Sequence, residues 1–246
     1  MKIVIVSTSL ILSFFLGIGI CTAQDTYAPV VSFSDQIEHQ KMQSEKSIPK
    51  DIREIMDEAT QELMFSSLTQ KSLQIYDTIP DFELQSITGK TVSTELLRQK
   101  GYLVIVFYRG GWCPYCNIHL QALNTAYPRI KDLNASMIAI SPQISVNPTE
   151  HGALQYEVLI DRDNKIAKKF CIVFQLNDDV IKIYKDLGID LREYNGNNDN
   201  ELPVPATYIV APDGVIEYAY INPDYRERPD PEKIIEFLES VKDTVN

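Results

Sequence analysis

Cys113 and Cys116 are separated by Pro114 and Tyr115 in the run Tyr108-Arg109-Gly110-Gly111-Trp112-Cys113-Pro114-Tyr115-Cys116. Two thiols at that spacing can close on one another, and the residues around them predict where they sit. The apolar stretch 102–108 (YLVIVFY) reads as a buried strand, and the pattern after Pro114 as a helix. Both sulfurs therefore fall at a helix N-terminus, where backbone N–H groups lack partners and stabilise negative charge. Such a site lowers a thiol's pKa and makes it a nucleophile near neutral pH. Pro114 suits the first helical turn, which needs no N–H there. Redox chemistry at sulfur is the first hypothesis. A thiolate that attacks peroxide becomes a sulfenic acid, which the second thiol condenses to a disulfide. A thiolate that attacks a disulfide forms a mixed disulfide, which the second thiol releases.

Less active roles for the pair are weaker. A permanent disulfide across so short a loop restricts the unfolded chain little. Cys113, Cys116 and His119 supply three potential zinc ligands, but structural zinc wants four and no second cluster follows, so no metal is expected. Haem attachment needs His directly after the second Cys, where Asn117 stands. No cofactor is implied. Arg109 is read as stabilising a thiolate or a peroxide oxygen, against a solvated residue at a strand end; Trp112 shields the pair or belongs to the core. Cys171, inside the apolar stretch 170–174, is expected to be a small buried hydrophobe.

The elements that must hold these thiols follow from pattern. The chain has 246 residues, 44% hydrophobic and 23% charged, ordinary for a globular protein. Its net charge of −11 disfavours nucleic acid as a partner, since phosphate contacts need surplus Lys and Arg. Residues 1–23 read as a signal peptide: Lys2, an apolar run over 3–20, and small residues before Gln24. An uncleaved anchor and a lipidated Cys21 are the alternatives, although Ile20 fits a lipoprotein signal poorly. The expected location is periplasmic or secreted. Residues 24–47 are polar and aperiodic and read as a mobile or loosely docked lead. Ile52, Ile55, Met56, Ala59 and Leu63 then mark one face of a helix after Pro49. Residues 24–75 are thus a lead with a helical extension, and 76–246 the main domain.

Within that domain, 80–84 and 90–92 read as strands joined at Thr88-Gly89, and 96–99 as a short helix ended by Gly101. A helix over 114–133 is expected to kink at Pro128. Strands follow at 137–140 and 157–160 and helices at 164–170 and 178–187. A hairpin of 207–210 and 215–220 turns at Pro212-Asp213-Gly214, and a last helix covers 231–241. Asp161 and Asp163 read as turn and cap residues. Residues 195–201 read as an irregular polar loop that offers oxygen ligands for calcium. Strands and helices in alternation give an α/β class with a mixed central sheet flanked by helices.

Several segments are similar to one family. Phe107-Tyr108-Arg109-Gly110-Gly111-Trp112-Cys113-Pro114-Tyr115-Cys116-Asn117 resembles the peroxiredoxin-like branch of the alkyl hydroperoxide reductase and thiol-specific antioxidant (AhpC/TSA) family, as does Leu202-Pro203-Val204-Pro205-Ala206-Thr207-Tyr208 followed by Pro212-Asp213-Gly214. Pro80-Asp81-Phe82-Glu83-Leu84 and Ile140-Ser141-Pro142-Gln143 agree with it. The resemblance spans about residues 76–241. It implies a thioredoxin fold with a peroxiredoxin-type N-terminal hairpin, here preceded by an extra helix, and a thiol-dependent peroxide reductase recycled by a thioredoxin-like dithiol. Cys116 then matches the family's peroxidatic cysteine. Cys113 stands at its Thr position, Arg109 at its Pro position, and Pro205 where it carries a peroxide-activating Arg.

Thioredoxin-type oxidoreductases offer a second alignment. Trp112–Cys116 resembles their Trp-Cys-x-x-Cys, and Pro205 their cis-proline. A cis Val204–Pro205 bond would leave the Val204 backbone free to hold a partner chain, with a protein disulfide as substrate, Cys113 attacking and Cys116 resolving. A non-catalytic exported binding module of the same fold is the third reading.

Overall fold

A computed structural model describes residues 31–144 and 153–243. Residues 1–23, which read as a signal peptide and include Cys21, and His151 lie outside these residues. No helix among the described residues is long and apolar enough to cross a membrane.

Strand β3 (Tyr102–Phe107) is the middle of a five-stranded sheet that holds the cysteines in place. Its side chains alternate faces. Val104 and Val106 enter one core, while Leu103, Ile105 and Phe107 enter the other. Covered on both sides, the strand reads as an unbroken apolar run. It pairs in parallel with β4 (Ala135–Ser141), which pairs in parallel with β5 (Glu157–Ile160). On its other edge it meets β8 (Ala206–Val210) antiparallel, Leu103 opposite Val210, and β9 (Ile216–Ile221) closes the sheet. The β8–β9 turn falls at Pro212–Gly214 as its residues predict, with Gly214 at φ 93°.

One face is covered by α5 (Pro114–Asp132) and α9 (Pro231–Asp243), with α1 (Phe33–Ser47) lying on α5. The other carries the hairpin β1 (Glu83–Gln85) and β2 (Thr91–Ser93), the short helices α4 (Thr94–Arg98) and α6 (Lys165–Lys169), and α3 (Leu68–Lys71). Helix α2 (Lys50–Phe65) packs against α7 (Asp178–Asp186). Helix α8 (Leu191–Asn195) and the two-stranded ribbon β6 (Val173–Gln175) and β7 (Glu201–Pro203) complete the order. The expected class, a mixed sheet flanked by helices with an N-terminal hairpin, is the observed one.

Two expectations need correction. The polar lead is helical over Phe33–Ser47. Ser32 caps it by accepting from Asp35 N–H at 3.1 Å, and Ile37 alone of its residues is buried. One buried residue in four turns leaves no period to read. Cys171 is exposed, because it sits at φ 55° just beyond α6 while Phe170 and Ile172 turn inward. Helix α5 includes Pro128 and continues to Asp132, close to its expected end. The acidic pair behaves as expected. Asp161 accepts from Ile166 N–H at 2.9 Å and Ala167 N–H at 2.8 Å, capping α6, and Asp163 accepts from the Asn197 side chain at 2.9 Å.

Candidate active site

Strand β3 delivers Tyr108, and the next four residues form a tight loop into α5. Gly111 N–H donates to the Gln143 side chain at 2.7 Å, and the Asn117 amide donates to Gly111 O at 2.7 Å. Gly110 takes φ 152°; a Cβ there would stand 2.3 Å from Trp112 Nε1. Gly110→Ala is expected to destabilise the fold by about 1–3 kcal/mol in urea unfolding, and an unchanged midpoint would refute this account of the loop. Cys113 is the N-cap of α5, Pro114 takes its first position, and Cys116 lies in the first turn. The predicted helix entrance is where both sulfurs sit. Both are also buried, at 1% exposure each.

The two thiols are not equivalent. Burial pushes Cys113 well above a free thiol, and its hydrogen bond to Cys116 adds to the rise. Burial opposes ionisation of Cys116 as well, but other forces outweigh it. The bond donated by Cys113, the guanidinium groups of Arg228 and Arg109, and the Arg109 backbone N–H hold Cys116 well below the ordinary range. These influences favour negative charge on Cys116 and the proton on Cys113. Arg228 Nη2 donates to Cys116 Sγ at 3.3 Å.

Arg109 is 3% exposed, so it is no solvated strand end. Its Cζ stands 4.8 Å from the Trp112 ring, 5.4 Å from Tyr184 and 4.4 Å from Tyr225, and Nη2 donates to the Tyr184 hydroxyl. Trp112 is partly buried; it bridges two core clusters and forms one wall of this cage. Pro205 lines a cavity shared with Arg109 and Tyr225. Val204 is fully buried and contributes differently from the expectation. Among the described residues no peptide bond is cis, so Val204–Pro205 is trans. Val204 N–H donates to Ile172 O at 2.7 Å, beside the β6–β7 ribbon. That backbone donor is already used inside the fold and is not free to hold a partner chain.

Sequence reasoning missed Arg228, Tyr225 and Tyr184. Residues 222–229 follow β9 and lie over the thiols, fastened by both N-terminal helices. Lys41 of α1 pairs with Glu227 at 2.8 Å, and Asp57 of α2 with Arg226 at 2.6 Å. Arg228 Nη1 donates to the carbonyls of Tyr225 and Glu227 at 2.7 and 2.6 Å. The one available signal was two arginines close together in an acidic chain, and nothing local ties them to the cysteines.

His119, one turn beyond Cys116, is 1% exposed and hydrogen-bonded to the Pro229 carbonyl. Burial first, then Arg228, lowers its pKa to about 3. It is neutral when folded and takes a proton near pH 6.5 when unfolded. Stability is therefore lost as pH falls through that window. Unfolding free energy should drop by about 2 kcal/mol more between pH 7 and pH 5 in the wild type than in His119→Gln, measured by urea titration. Equal slopes would overturn the assignment. No group of three or more His, Cys, Asp or Glu among the described residues is placed to hold a metal, residues 195–201 included.

Residues 75–219 match the model of the AhpC/TSA family. Thiol-disulfide oxidoreductase ResA of Bacillus cereus is 27% identical over 107 residues, 42% of this chain and 61% of that protein. Chloroplastic Peroxiredoxin Q of Triticum aestivum is 29% identical over 144 residues, 58% of this chain and 57% of that one. Each alignment thus spans less than two thirds of the relative. Among solved structures, peroxidoxin BcpB of Mycobacterium tuberculosis superposes with TM-score 0.51 at 17% identity, covering 69% of this chain and 98% of that one. A cysteine-to-serine mutant of peroxiredoxin 6 of Arenicola marina gives TM-score 0.56 at 16% identity, covering 71% and 76%. At those identities the structural likeness speaks for the fold.

Proposed function

Because the chain belongs to the AhpC/TSA family, we propose that it is a thiol-dependent peroxide reductase in which Cys116 attacks and Cys113 resolves. The observation that carries the reading is the convergence of Arg228, Arg109 and the Cys113 thiol on Cys116. The Cys116 thiolate attacks one peroxide oxygen and the O–O bond breaks. Cys116 becomes a sulfenic acid, and the leaving alkoxide or hydroxide takes a proton. Cys113 sulfur then attacks Cys116 sulfur; hydroxide leaves and is protonated to water, and the Cys113–Cys116 disulfide remains. An external dithiol returns both thiols. Arg228 supplies the guanidinium that Pro205 cannot, from a different part of the chain.

Burial sets the order of events. With both sulfurs at 1% exposure, Tyr225 and Arg228 must shift before any oxidant arrives. A small peroxide requires less opening than a folded protein would. Together with the occupied Val204 N–H, this favours peroxide over protein disulfide, the reading to which the ResA likeness points. The apolar run 3–20 supports export, with cleavage before Gln24.

The test is to oxidise Cys113→Ser with one equivalent of hydrogen peroxide, trap with dimedone and map the adduct by mass spectrometry. A Cys116 adduct is expected. Absence of any sulfenic acid, together with fast mixed-disulfide formation at Cys113 in Cys116→Ser, would establish disulfide exchange instead. A wild type inert in both assays would leave the binding-module reading.

A further inference from the structure

We infer that the cavity beside Arg109 binds a small amphipathic anion, an aliphatic monocarboxylate of medium length, with its carboxylate on Arg109 and its chain between α2 and α7. The cavity has a volume of about 260 Å³, walled by apolar residues that include Met56, Leu63, Leu176 and Val180. At about 30 Å³ for each water-sized group, it holds roughly nine non-hydrogen atoms. Helix α2 precedes residue 75, so this wall lies outside the segment matching the AhpC/TSA family.

The charge at the inner end selects the head group. Arg109 is buried, its Nε has no hydrogen-bond partner, and it forms no ion pair among the described residues. The faces of its guanidinium are occupied by aromatic rings, which leaves an edge to donate. Arg228 also forms no ion pair among the described residues, so two guanidinium groups share the single Cys116 thiolate. One positive charge stays uncompensated, and a buried cation left so is costly. A carboxylate offsets the charge of the Arg109 that lines the cavity, whereas a neutral head does not. Glu62, the one acidic lining residue, is exposed at the rim.

The charge count rests on Cys116 being the thiolate of the proposed reaction, so the test separates the two. Trp112, the only tryptophan, stacks on Arg109 and reports occupancy by its fluorescence. Titrating the reduced full chain with heptanoate should give a saturable one-to-one response, matched by calorimetry and at least about tenfold tighter than with 1-heptanol. Leu63→Glu should abolish it; should that variant fail to fold, Ala59→Leu, which fills the cavity, serves instead. Cys113→Ser/Cys116→Ser, which lacks the thiolate, should bind heptanoate about tenfold more tightly than the reduced wild type. Heptanol binding as tightly as heptanoate, no saturation, or affinity unchanged by filling the cavity would overturn the proposal. Saturable heptanoate binding that is equal in the double variant would uphold the site and count against the thiolate assignment.

Discussion

Replacing Cys116 by serine is expected to reduce peroxide consumption by at least about 10⁴-fold, to the uncatalysed rate, while Cys113→Ser keeps a full first turnover. The asymmetry follows from the direction of the hydrogen bond between the sulfurs. Cys113 donates and Cys116 accepts, which favours negative charge on Cys116. A serine hydroxyl at 116 has no accessible anion near neutral pH and cannot attack the peroxide. A serine hydroxyl at 113 still donates to Cys116 and preserves its ionisation. Without a resolving sulfur the sulfenic acid persists, so Cys113→Ser should consume one equivalent of peroxide and stop. A rapid-mixing assay of peroxide loss per protein reads both results. A burst in Cys116→Ser, with none in Cys113→Ser, would reverse the assignment and make Cys113 the nucleophile, as the thioredoxin alignment has it.

Arg228→Gln should lower the second-order rate with peroxide at pH 7 by about 10–100-fold, the worth of one hydrogen bond to a charged acceptor. Its pH profile should distinguish this from misfolding. The Cys116 pKa is depressed, so the reactive thiolate is present above that pKa and the rate falls as pH drops through it. Loss of Arg228 raises the pKa, and the acid limb should move up by about 1–2 pH units, with activity recovering in alkali. Iodoacetamide alkylation of Cys116 in a Cys113→Ser background gives the same limb independently of peroxide chemistry. Arg228→Lys should fall between the two, since an ammonium keeps the charge and loses the planar fork. An acid limb that stays in place would show that Arg228 packs near the sulfur without governing its charge.

The strands and the helix entrance were legible because their causes are local. The run 102–108 is apolar on both faces because β3 is covered on both faces, and Pro114 marks the start of α5. Pro212-Asp213-Gly214 turns the chain by its own backbone preferences. The errors occur where neighbours decide. Helix α1 buries one residue and is held by Ser32 and by contact with α5, so its polarity looked like a loop. Cys171 lay in an apolar stretch and was read as core, yet the left-handed turn after α6 carries it outward. Pro205 lines the cavity beside Arg109, but the bond before it is trans and the Val204 N–H is occupied, which the alignment could not foresee.

The amino-acid sequence by itself determined that two thiols would share a helix entrance at the end of a central strand. Tertiary structure alone supplied the charges that set the two thiols apart. Arg228 stands 112 residues along the chain from Cys116 and reaches it because β9 returns beside β8 and the following segment is pinned by α1 and α2. Period and propensity record each residue's own backbone preferences. The electrostatic field at a sulfur atom is the sum over charges that folding brings near it, and those charges leave no mark on the local pattern.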